Sequence, residues 1–113
     1  MSWGTVLLSP EVRRWLDALS DDAQARVLIK LGYLEANGPL LGEPHTRQLG
    51  GKLRELRIAL ERDQVRISYF IASGRRIVML TVFRKQRPRE RREIQRAQRA
   101  QQRWRIDDSG ERS

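Results

Sequence analysis

The chain has 113 residues, a length suited to one domain with one modest core, and carries a formal charge of +9 with 23 Lys and Arg against 14 Asp and Glu. That excess points to an anionic partner, while zero cysteines exclude a disulfide framework, a thiolate zinc site and a cysteine nucleophile. No apolar run approaches the ~20 residues of a transmembrane helix and no signal-peptide pattern opens the chain, so the expectation is a soluble, cytoplasmic protein with no membrane partner.

In chain order, Trp3 to Leu8 reads as a short first strand, with β-favouring Thr5 and Val6. Ser9-Pro10-Glu11 reads as an N-cap, a proline at the first helical position and an acid in the first turn. Val12, Trp15, Leu16 and Leu19 follow at helical spacing. Ser20-Asp21-Asp22 opens a second helix with an apolar stripe of Val27, Leu28, Leu31 and Leu34, stopped by Asn37-Gly38-Pro39. Leu40 to Gly51, with Gly42, Pro44, Gly50 and Gly51, has the composition of a loop.

Three strand-like runs come next: Leu53 to Leu60, Val65 to Ile71 and Ile77 to Phe83. The turns at Glu61 to Gln64 and Ser73-Gly74 make them an antiparallel meander. The last run is apolar on both faces, as a central strand covered by helices would be. Pro88 opens a final helix reaching about Trp104, with a thin stripe of Ile94, Ala97, Gln101 and Trp104. Residues 107–113 read as a frayed tail beyond a domain of residues 1–106. The order β-α-α-β-β-β-α predicts an α+β fold in which two helices pack on one face of a four-stranded sheet, followed by a basic C-terminal helix.

The basic residues are concentrated. From Arg84 to Arg105 there are ten cations against Glu90 and Glu93, nearly the whole excess of the chain. Such a segment suits tracking of a phosphate backbone, which positions an RNA without specifying its sequence. Strand alternation puts Glu55 and Arg57 on the face opposite Leu56, Ile58 and Leu60, and Arg66 on a face shared with Ser68 and Phe70. For Glu55 the same placement also fits a cross-strand salt bridge. His45, alone in a Gly/Pro loop, cannot make a metal site and reads as an exposed loop residue; no metal or other cofactor is implied.

The ordered set Ser9-Pro10-Glu11-Val12, Trp15 to Leu19, Gly42-Glu43-Pro44, Leu49 to Ile58, Val65 to Tyr69 and Val82-Phe83-Arg84-Lys85 resembles the RelE/ParE superfamily of small bacterial toxins, in its HigB-type, phage Gp49-like branch. The resemblance spans about Thr5 to Ala100. It implies a RelE-like fold and the toxin of a type II toxin-antitoxin system, a ribosome-dependent mRNA endonuclease using metal-independent attack by the 2′-OH. It also implies a cognate antitoxin, typically a helix-turn-helix HigA-like protein, with mRNA and ribosomal RNA as the other partners.

Carried over by motif, the cleavage positions are Glu55, Arg57, Arg66 and Lys85. Arg57 and Arg66 would clamp the phosphate, because a guanidinium cannot readily act as a base. Glu55 would accept the proton, and Lys85 would serve as acid or as a further clamp. Lys52, Arg54, Arg84, Arg87, Arg91, Arg92 and Arg96 would contact RNA or the ribosome. This chain has Thr81 where relatives often have a His, Arg84-Lys85 where a Lys pair is frequent, and no Tyr or His between Arg87 and Ala97. A ParE-like gyrase inhibitor and a catalytically inactive RNA-binding relative are the alternative functions.

Overall fold

The computed structural model describes residues 2–85 and 91–111. Its elements are β1 (Thr5–Leu8), α1 (Pro10–Asp17), α2 (Asp21–Asn37), a 3-10 turn (Gly38–Leu40), β2 (Thr46–Gly50), β3 (Leu53–Leu60), β4 (Asp63–Ala72), β5 (Arg76–Arg84) and α3 (Arg91–Glu111). The α+β class and the three-strand meander agree with the expectation. The sheet has five strands rather than four, in the order β1-β5-β4-β3-β2.

The additional strand is β2, which the glycines and proline around it make look like loop. It pairs antiparallel with β3, setting Thr46 opposite Leu56 and Arg47 opposite Glu55. On the other side, β1 runs parallel to β5 from Thr5 opposite Arg76 to Leu8 opposite Met79.

Both early helices begin as their capping residues dictate. The Ser9 and Ser20 side chains accept the amide hydrogens of Val12 and Ala23 at 3.2 and 3.3 Å. Ser9 also donates its hydroxyl to the Leu80 carbonyl at 2.7 Å, fixing the start of α1 to β5. α2 ends at Gly38, whose φ of +54° suits glycine and where a Cβ would collide with the Trp3 ring.

The two faces of the sheet carry two cores. On one, Val12, Leu16, Val27, Leu31 and Leu34 from α1 and α2 meet Leu56, Ile58, Ile67, Tyr69, Ile77 and Met79. On the other, Ala97 of α3, with Ala100 and Trp104, meets Leu53, Phe70, Val78 and Leu80. The helices therefore sandwich β5, which explains its apolar character on both sides. Leu28 departs from its expected place in the α2 stripe, being 52% exposed.

α3 docks through more than its thin stripe. Trp104 meets Phe70 edge-to-face at 5.5 Å, and Arg76 lies 5.0 Å over the Trp104 ring while pairing with Asp108 at 2.8 Å. The expectation of a frayed tail from Asp107 is thus corrected: the helix runs to Glu111, with Asp108 holding it to β5. The proposed helix start at Pro88 lies outside the described residues.

Tyr69 is 1% exposed, and burial holds its phenol above the usual range, partly offset by Arg54 and Thr46. The folded state keeps this proton above the ordinary tyrosine value of 10.0. Its contribution is therefore full below that pH and falls as pH rises through the folded value. Denaturation midpoints followed from about pH 8 to pH 11 should decline, and Tyr69→Phe should flatten the decline. An equally steep fall in the variant would exclude Tyr69 as its source.

Candidate active site

β3 and β4 assemble the site. Their register sets Arg57 opposite Arg66 and Glu55 opposite Ser68, so all four occupy the face away from α1 and α2. Arg66 Nε lies 3.1 Å from Glu55 Oε2, and Arg57 Nε lies 3.7 Å from the same oxygen. Two cations thus flank one carboxylate on a rigid sheet.

The two arginines differ in access. The Arg57 side chain is 29% exposed and that of Arg66 only 4%. Arg66 therefore faces Glu55 from inside the fold, not the solvent-facing position expected for a phosphate ligand. Glu55 makes the cross-strand salt bridge that its alternation allowed.

Ser68 and Thr81 sit opposite each other in the β4–β5 ladder, both buried, with hydroxyl oxygens 2.5 Å apart. Just beyond Thr81 the backbone amide of Lys85 donates to the Gln64 carbonyl at 2.7 Å. The pairing thus continues past the end of β5, and alternation from Phe83 sets Lys85, which is exposed, on the Arg66 side.

The remaining basic residues divide. Arg54 is opposite Tyr69, on the reverse face, and donates to Thr46 Oγ1 at 2.9 Å. Arg84, opposite Val65, is also on the reverse face, 3.6 Å from Asp63. Neither joins the Glu55 cluster. Arg96 is an internal fastener: it pairs with Glu11 at 2.5 Å and Glu93 at 2.9 Å and donates to the Val82 carbonyl at 2.8 Å. Burial alone would lower its pKa, but bonding to Glu93 and Glu11 outweighs this and the net shift is upward. Lys52, Arg91 and Arg92 are exposed, while Arg87 lies outside the described residues.

Some contacts near the site do not show in the sequence. Arg47 on β2 is opposite Glu55 on β3, but a segment taken for loop offers no alternation from which to place it. Glu11 reads as a helix-dipole partner yet also accepts the Val82 amide at 2.7 Å. His45 is held on the α2 side, its Nδ1 2.8 Å from Lys30 Nζ and its ring against Tyr33. Among the described residues no group of three or more His, Asp or Glu could hold a metal ion. No helix among them is long and apolar enough to cross a membrane.

Residues 14–105 match the family model described as Phage derived protein Gp49-like (DUF891). The chain belongs to this Gp49-like family. It is 34% identical over 79 residues to "Putative toxin HigB3" of Mycobacterium tuberculosis, a match covering 66% of this chain and 68% of that protein.

The fold is shared with RelE-type proteins. The toxin-antitoxin complex RelBE2 of Mycobacterium tuberculosis gives a TM-score of 0.54 at 24% identity, covering 73% of this chain and 98% of the matched one. The archaeal RelE–RelB complex of Pyrococcus horikoshii OT3 gives 0.55 at 21% identity, covering 77% and 99%. The Gp49-like chain therefore has a RelE-type fold, as its sequence motifs imply.

Proposed function

We propose that this Gp49-like protein is the toxin of a toxin-antitoxin system and acts as a ribosome-dependent mRNA endonuclease. Family membership and the related HigB3 support the toxin reading. The observation that carries the chemistry is the Glu55 carboxylate held between Arg57 and Arg66 on the sheet face away from α1 and α2.

In this mechanism the RNA supplies its own nucleophile. Arg57, the longer and more exposed of the two Glu55 contacts, shifts to the incoming phosphate. Arg66 keeps Glu55 in place. The 2′-oxygen attacks phosphorus as its proton passes to Glu55, and the bond to the 5′-oxygen breaks as Lys85 protonates the leaving group. The products are a 2′,3′-cyclic phosphate and a 5′-hydroxyl. Arg57 and Lys85 stabilise the charge gathering on the phosphorane oxygens, with Arg66 contributing its field from within. No metal is required.

Lys52, Arg91 and Arg92 would carry contacts to mRNA and ribosomal RNA, and the exposed Arg99 and Arg103 extend the basic surface of α3. The antitoxin is proposed to be a helix-turn-helix HigA-like protein.

Reporter mRNA in a translating extract tests the reading. Transcripts should be cut when active protein is added, with 2′,3′-cyclic phosphate ends, and DNA supercoiling by gyrase should be unaffected. Intact transcripts, or blocked supercoiling, would refute it.

A further inference from the structure

The face that carries Glu55 continues beyond the cluster. α3 covers β5 and β4, and a cleft of about 630 Å³ lies between its flank and the Gly50-Gly51-Lys52 turn. Gln98, Gln101 and Arg105 line it from the helix, where their spacing places them along one side. Lys52 lines it from the turn, and Phe70 and Trp104 form an aromatic floor.

The polar groups of the cleft divide into engaged and available. Arg76 and Asp108 satisfy each other through contacts of 2.8 and 3.3 Å. Arg105 is exposed and lies 5.2 Å over the Phe70 ring, and among the described residues it forms no ion pair. Lys52, Gln98 and Gln101 make no side-chain hydrogen bond or ion pair to another described residue. Two cations and two amides match the polar parts of a nucleotide: cations suit its phosphates, and an amide offers a donor and an acceptor to a base edge.

The cleft is also placed to meet the strand being cut. Lys52 closes the turn that leads directly into β3, three residues before Glu55 in the chain. We propose that this cleft binds one nucleotide of the RNA strand, a step or two from the scissile phosphate, with Lys52 and Arg105 on its phosphates and Gln98 and Gln101 reading its base. The inference rests on the RNA-cleaving reading and adds a source of sequence preference, which backbone contacts alone do not provide.

Two measurements on the full chain separate the cleft from the chemistry. Binding is followed by anisotropy with short single-stranded RNAs carrying 2′-O-methyl groups, which cannot be cut. Lys52→Gln with Arg105→Gln should weaken binding about tenfold and reduce the salt slope by about 1.4, the value for two phosphate contacts on a single strand. Gln98→Ala with Gln101→Ala should flatten the base preference at one position flanking the cut, lowering kcat/KM on the preferred site toward that of the others. Cleft-dependent binding without cleavage in the translating extract would refute the nuclease reading and uphold the cleft. Cleavage with unchanged preference and affinity in both double variants would overturn the cleft alone. Cleft variants that bind RNA normally but fail to bind the antitoxin would assign the cleft to a protein partner and overturn the proposal.

Discussion

Arg66→Ala is expected to lower both stability and cleavage, whereas Arg57→Ala lowers cleavage almost alone. The difference follows from burial: the Arg66 side chain is 4% exposed and that of Arg57 29%. Removing one partner of a buried ion pair costs about 3–5 kcal/mol, and losing an exposed contact about 0–1 kcal/mol. Each substitution also removes positive charge from the proposed transition state, a loss of about 100-fold to 1,000-fold in rate. Urea midpoints and single-turnover cleavage rates measure the two effects separately. Replacing the pair by apolar residues, Glu55→Leu with Arg66→Met, should recover stability without recovering cleavage. An Arg57→Ala protein that cuts at the wild-type rate would remove Arg57 from the mechanism.

The second large effect comes from the opposite face of the same strand. Leu56 is 0% exposed, packed in the core under α1 and α2, and lies between Glu55 and Arg57 in the chain. Leu56→Ala should destabilise the protein by about 2–5 kcal/mol through lost burial and the cavity left behind. Leu56→Met, nearly equal in volume, should cost less than about 1.5 kcal/mol. The alanine variant should also cut more slowly when folded, because the backbone that carries Glu55 and Arg57 loses its support. A Leu56→Ala protein with wild-type stability and rate would mean that β3 is held by its ladder and not by this core.

The local elements were legible because local chemistry forms them. Ser9-Pro10 and Ser20-Asp21 start α1 and α2, and the alternation in β3 and β4 assigns Glu55, Arg57 and Arg66 to one face. β2 was not legible: Gly42, Pro44, Gly50 and Gly51 signal loop, and only the partner strand β3 makes Thr46–Gly50 extended. Arg54 and Arg96 look like RNA ligands for a similar reason. A basic residue in a sequence does not reveal the Thr46 hydroxyl or the Glu11 carboxylate that folding brings to it.

By itself, then, the sequence determined the α+β class, the meander, the starts of α1 and α2 and which residues share the face of the proposed chemistry. These depend on capping, turns and a two-residue period, all written in neighbouring residues. Tertiary structure decided the fifth strand, the docking of α3 through Asp108, the burial of Arg66 against Glu55 and the cleft beside Lys52. Those depend on which distant surfaces meet, and the free energy of such meetings comes from burial and charge pairing between segments whose own sequences do not encode their partners.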